Sequence, residues 1–337
     1  MLRAFDPTAR TVGACLCVVL AVVTGACGGK SHDASVTAGS APSPSRGCAG
    51  TSSSKSGTFS LRHDGLDRSY EIVVPRKRSG APTPLVLGYH GYLGGSYELR
   101  GRLEDRALRD GFVAVFPQGS TVGSTTPAYF NIETVDESLL ADDVGFTRAL
   151  LDRVEADLCI DRTRIYALGF SNGGMFVSTL ACTLNDRIAA VAPVGGVHLP
   201  PDCDGRPVPI LITHGTADRI VPFDETDVGR LDGLVVENPG GLAQDRMFRK
   251  VERTPVTSWV ESWARHNGCS LDAPAITTIG STVERTVYAG CEGDGDVVLQ
   301  AVDGGFHDWP TSPTLDTTSR ALVFFEEHPL PREALDR

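Results

Sequence analysis

Five segments of this chain are apolar at almost every position: PLVLGYH (84–90), FVAVFP (112–117), RIYALGF (164–170), IAAVAPV (188–194) and VPILITH (208–214). Runs of strand length without polar alternation bury both faces, which predicts a central, mostly parallel sheet covered by helices. DVVLQAV (296–302) adds a late strand of the same kind. Elsewhere the apolar positions take helical spacing, predicting helices over Ser96–Asp110, 137–157, 172–184, Val256–His266 and Thr317–Glu327. Ahead of the first run, GTFSLRH and RSYEIVVP flank the turn DGLD and read as an antiparallel pair. The economical architecture is one α/β domain over 58–330 with a short tail, 331–337. Residues 224–254 show scattered glycines and no clear period, and are expected to form a surface excursion near the site.

The first residues follow a different pattern. Arg3 and Arg10 precede TVGACLCVVLAVV, an apolar run too short to span a bilayer comfortably and typical of a signal-peptide core. Residues 1–26 are therefore expected to direct export. Gly25 and Ala26 stand directly before Cys27, which resembles the box of bacterial lipoproteins whose cysteine is lipidated and joined to the outer face of the membrane. Thr24 stands where leucine is usual, so ordinary cleavage with release stays open. Residues 27–57, rich in Gly, Ser, Ala, Thr and Pro, carry too few large apolar groups to offset the entropy of ordering and read as a flexible tether.

Composition narrows the chemistry. The 337 residues are 41% hydrophobic and 22% charged, enough for one large core. A net charge of −11, with no basic cluster, argues against nucleic acid as a partner. Six cysteines follow Cys27: Cys48, Cys159, Cys182, Cys203, Cys269 and Cys291. An even number in an exported chain suggests up to three disulfides among fifteen pairings. The absence of CxxC or CxxxC spacing argues against a zinc site or redox dithiol.

The strongest chemical signal is RIYALGFSNGGMF, which places Ser171 after an apolar strand and before helical sequence, with Gly169 and Gly173 flanking it. This is the G-x-S-x-G nucleophile elbow in its required context. A serine lifted on so tight a turn needs unusual backbone angles, neighbours without a Cβ, and free amides at the helix start. The base and acid follow in chain order. Asp218 heads the loop after VPILITH, and His307 lies in VDGGFHDWP after the last strand. Strand ends of this kind assemble the sites of α/β sheets. His214, at the end of the strand before Asp218, is expected to be a packed or hydrogen-bonded support residue and not the base, and His198 to border the cleft. The HGYLGG loop offers a second oxyanion amide beside that of Asn172, with Tyr92 preferred and Gly91 open. His90, Phe306 and Trp309 are the candidate substrate-pocket residues, with Asp308 a carboxylate close to the base.

Taken together, RSYEIVVP, LVLGYHG, VFPQG, ADDVGFTRALLDRV, CIDRTRIYALGFSNGGMF, RIAAVAPVGG, THGTADRIVPF and CEGDGDVVLQAVDGGFHDWP resemble the secreted polyhydroxybutyrate depolymerase and feruloyl esterase group of α/β hydrolases, which is like carbohydrate esterase family 1. The resemblance implies the α/β-hydrolase fold, Ser171, Asp218 and His307 as nucleophile, acid and base, an aromatic at Trp309, and a Cys269–Cys291 disulfide. It implies hydrolysis of a short-chain polyester or of feruloyl or acetyl esters on polysaccharide, with no metal or organic cofactor. GGFHDWPT stands where the group often has GGGHTWPG, and AYFN where it often has tryptophans around an asparagine. Two other readings stand beside this one: a surface-tethered domain that binds without turnover, and a serine peptidase of related fold.

Overall fold

The sheet begins with a hairpin, β1 (Gly57–His63) and β2 (Leu66–Val73), paired antiparallel from Gly57↔Ile72 to His63↔Leu66. Asp64 and Gly65 both have positive φ, 46° and 73°, the two-residue turn whose twist matches the flanking strands. This turn is tighter than the sequence suggested, and β2 starts two residues earlier than the apolar pattern does. The computed structural model describes residues 41–50, 55–75, 81–121, 128–132, 141–224, 254–312 and 314–336, all within one compact unit, Gly39–Arg337. The expected signal segment, Cys27 and nearly all of 224–254 lie outside the described residues.

Next come β3 (Thr83–Tyr89), α1 (Ser96–Asp110), β4 (Val113–Pro117), α2 (Asp143–Asp157), β5 (Ile160–Phe170) and α3 (Asn172–Thr183). They are followed by β6 (Ala190–Val194), β7 (Ile210–Gly215), α4 (Val256–His266), β8 (Ala275–Ile279), β9 (Val283–Tyr288), β10 (Val297–Val302) and α5 (Thr317–Glu327). Among the described residues the sheet has ten strands in the order β1-β2-β4-β3-β5-β6-β7-β10-β9-β8. The six from β4 to β10 are parallel, and both ends are antiparallel. This is the doubly wound arrangement expected from the continuous apolar runs.

Local chemistry sets the helix ends. Asp142 Oδ1 accepts the Gly145 amide at 2.7 Å and starts α2, while Asp316 Oδ1 accepts that of Ser319 at 3.1 Å and starts α5. Gly111, at φ 84°, closes α1. The inward faces of α2, α3 and α4 bury Leu150, Phe176 and Trp263 on one side of the sheet. Those of α1 and α5 bury Leu103 and Phe325 on the other. Each such side chain stabilises the fold by about 1.5–3 kcal/mol.

Two expectations need correction, and one pair of strands was not expected. The antiparallel edge β9–β8 was missed, because β8 is exposed along nearly its whole length and carries no apolar stripe. The tether is not flexible throughout 27–57, since residues 43–48 are fastened to the domain. There Ser45 Oγ donates to Leu158 O at 2.8 Å and accepts from Ile160 N at 3.0 Å, and Ser43 O accepts from Arg162 N at 2.8 Å. Hydrogen bonds and a Cys48–Cys159 disulfide do here what apolar burial does elsewhere. The 331–337 tail likewise packs, with Ala334 buried and Arg332 donating to Pro42 O at 3.1 Å. The other two disulfides are Cys182–Cys203 and Cys269–Cys291, the latter as the resemblance implied.

Candidate active site

Ser171 sits between the end of β5 and the start of α3 with φ 53° and ψ −118°, backbone angles that a residue bearing a Cβ rarely adopts. Its amide donates to Val194 O at 2.8 Å, which ties the turn to β6. The glycines around it are required by contact. A Cβ on Gly169 would stand 2.2 Å from Gly173 O, and one on Gly173 would stand 2.2 Å from Tyr89 O and 2.5 Å from His90 O. Gly173→Ala is therefore expected to cost about 3 kcal/mol, seen as a melting temperature lower by roughly 6–12 °C in calorimetry.

The three residues singled out at distant points of the chain meet at the carboxyl ends of the strands. His307 Nε2 lies 2.9 Å from Ser171 Oγ, and His307 Nδ1 lies 2.7 Å from Asp218 Oδ2. The aspartate is 2% exposed, so its charge must be matched inside the protein. Oδ1 accepts the amides of Ile220 at 2.8 Å and Val221 at 3.0 Å. Burial alone would raise its pKa, but hydrogen bonds from His214 and His307 outweigh burial and hold it well below the usual carboxylate range. Asp218 is thus ionised wherever the protein is folded at ordinary pH. His307 in turn packs against Phe170, ring centres 5.1 Å apart, and Phe170 against Trp309 at 6.4 Å.

Two loops frame the serine. Asn172 is the first residue of α3, so its amide has no acceptor within the helix. Its side chain clamps the AYFN segment, with Oδ1 accepting Phe130 N at 2.8 Å and Nδ2 donating to Phe130 O at 2.9 Å. In the HGYLGG loop the Gly91 amide donates to Glu98 Oε2 at 3.1 Å, which occupies it. Neither the Glu98 contact nor the Asn172 clamp was legible in the sequence, because each depends on where a second loop lies.

Several expected pocket residues have other roles. His90 is fully buried, with Nε2 accepting the Gly119 amide at 2.9 Å and Nδ1 donating to Gly91 O at 2.7 Å. Burial also pushes its pKa below the ordinary histidine value. It is a strut that orients the HGYLGG loop and does not line a pocket. Trp309, 6% exposed, is buried beneath Arg102 and donates to Thr318 Oγ1 at 3.3 Å, so it supports the His307 loop from behind. His198 is buried against Thr179 at 2.9 Å, its pKa pushed down to about 4 by burial, and does not border an open cleft. Asp308 points to solvent. Phe306 is 61% exposed and directly precedes His307. No cluster of three or more metal-ligating side chains occurs among the described residues.

The family model described as Phospholipase/Carboxylesterase matches residues 112–228, which include Ser171 and Asp218. Feruloyl esterase B of Piromyces equi is 32% identical over 232 residues, covering 66% of this chain and 39% of that protein, so this chain matches well under half of the relative's length. Probable feruloyl esterase C of Aspergillus oryzae is 31% identical over 255 residues, covering 72% of this chain and 77% of that protein. Among solved structures, an acetyl xylan esterase from Aspergillus awamori aligns with a TM-score of 0.53 at 12% identity, over 80% of this chain and 99% of that one. That last similarity is one of fold alone.

Proposed function

The chain belongs to the feruloyl esterase-like group of α/β hydrolases, a group of carboxylic ester hydrolases, and from that premise we propose that it is an exported serine esterase acting through Ser171, His307 and Asp218. The observation that carries the reading is the single imidazole of His307, bridged by hydrogen bonds between a buried carboxylate and a serine hydroxyl. With Nδ1 donating to Asp218, Nε2 is left as the acceptor for the Ser171 proton. Ser171 Oγ then attacks the ester carbonyl, and the imidazolium formed is stabilised by Asp218. His307 returns its proton to the departing alcohol, leaving an acyl-serine. Water, deprotonated by His307, releases the acid.

The negative charge on the carbonyl oxygen is assigned to two backbone amides. Asn172 supplies one at the positive end of α3. Tyr92 is the better choice for the second, since the Gly91 amide is engaged by Glu98.

For substrate, the names of the relatives favour feruloyl or acetyl esters of polysaccharide over a short-chain polyester. The exposed ring of Phe306, next to His307 in the chain, suits an aromatic or apolar acyl group. Three disulfides fit an oxidising compartment outside the cytoplasm. Lipid attachment at Cys27 rests on the sequence and is tested by metabolic labelling with a tagged fatty acid. The function is tested with a fluorophosphonate label and a panel of p-nitrophenyl acetate through hexanoate, methyl ferulate, acetylated xylan and a hydroxybutyrate oligomer. Labelling at Ser171 with fastest turnover of methyl ferulate or acetylated xylan is expected. Preference for the oligomer would select the polyester branch, and no label with no turnover would favour a binding domain.

A further inference from the structure

Asp218 Oδ2, the oxygen that holds His307, has a second imidazole against it. His214, the fifth residue of β7, places Nε2 at 3.1 Å from Asp218 Oδ2 and 3.0 Å from Val221 O. Both partners are acceptors, so the proton of a neutral His214 must sit on Nε2, which it shares between them. The other ring nitrogen, Nδ1, is buried with no hydrogen-bond partner among the described residues. A bare lone pair is tolerated there, whereas an unpaired N–H of a buried cation would be far more costly.

The result is a closed cycle. Asp218 Oδ1 accepts from Val221 N, Val221 O accepts from His214, and His214 donates back to Asp218 Oδ2. Oδ1 is therefore fixed by the loop amides of Ile220 and Val221 and Oδ2 by His214 from the strand, with His307 on Oδ2 as well. We propose that His214 is a positioning residue for the acid, whose Nε2–H holds Asp218 Oδ2 in line with the His307 imidazole and shares its negative charge. This rests on the reading of Ser171, His307 and Asp218 given above.

The titratable groups against Asp218 are His214 from β7 and His307 from the loop after β10. Those against His307 are Asp218 and Ser171, with the Phe170 ring on one side. His214 faces Asp218 and the Phe223 ring, 6.3 Å away. Removing the His214 donor leaves more charge on Oδ2 facing His307. The protonated imidazole is then favoured, and the acid limb of the rate profile moves to higher pH.

The test compares wild type, His214→Phe, which keeps a planar ring without a donor, and His214→Gln, whose amide nitrogen is the same number of bonds from the backbone as Nε2. With p-nitrophenyl acetate, His214→Phe is expected to lower kcat about 10–100-fold at nearly constant KM and to move the acid limb of kcat/KM upward. His214→Gln should recover most of the lost rate and return the limb to its wild-type position. Equal losses in both variants with an unmoved limb, or no loss in His214→Phe, would overturn the proposal. Should His214→Phe not fold, 15N-histidine NMR of the wild type decides. A proton on Nε2 supports the role, and a neutral ring protonated on Nδ1 alone overturns it. An inactive Ser171→Ala beside a fully active His214→Phe would remove this inference alone, whereas an inert wild type would remove both.

Discussion

Ser171→Ala is expected to lose ester turnover by about 10⁶-fold in kcat while retaining the wild-type melting temperature within a degree or two. The loss follows from removing the only oxygen within hydrogen-bond reach of His307 Nε2 among the described contacts. What remains is whatever the two amides proposed for the oxyanion, those of Asn172 and Tyr92, do for attack by water. The fold should not suffer, because the strained φ of 53° is imposed by the elbow and alanine adopts it at the same cost as serine. The measurement pairs steady-state hydrolysis of p-nitrophenyl acetate with calorimetry. Full activity in the variant would sink the assignment of the nucleophile.

Asp218→Asn is expected to lower kcat by about 10³–10⁴-fold at nearly constant KM. The carboxylate accepts four N–H groups, from Ile220, Val221, His214 and His307. A carboxamide has one oxygen, so its NH₂ must face two of those donors. If the NH₂ faces His307, the imidazole is driven to the wrong tautomer; if it faces the two amides, the loop is pushed open. The same substitution changes the pH dependence of stability. Since the folded pKa of Asp218 lies below its unfolded value, its ionisation stabilises the protein above the ordinary carboxylate range. That stability is lost as pH falls from about 4 toward the depressed folded value. Between pH 5 and pH 3 the melting temperature of wild type should therefore fall more steeply than that of Asp218→Asn. Parallel curves would show that the carboxylate is not held in its charged form.

Legibility in the sequence divided along physical lines. β3 to β7 and β10 were visible because strands buried on both faces must be continuously apolar, and α1, α4 and α5 were bounded correctly by their helical spacing. Ser171, Asp218 and His307 could be singled out because an elbow and two strand-end loops have a fixed order, and the structure brings the three within hydrogen-bond reach. What failed was inference about side chains whose role depends on a second loop. His90 and Trp309 lie next to candidate site residues along the chain, yet their rings are buried in the packing beneath. The exposed edge β8 fell below notice because an edge strand needs no apolar face. Composition alone also misjudged the segment before β1, where serine hydroxyls and a disulfide order a stretch that lacks hydrophobic groups.

That segment changes where the protein can be cut. An expression boundary drawn at residue 58, where composition turns from Gly/Ser/Pro-rich to strand-like, would discard Cys48 and strand Cys159 as an odd thiol at the start of β5. Five cysteines would then remain on the retained chain. The unpaired one would be free to join a second molecule or to exchange with Cys182–Cys203 during oxidation. A soluble version that begins before Pro42 keeps the clasp and the Arg332 contact together, and its oxidation has one native outcome to find.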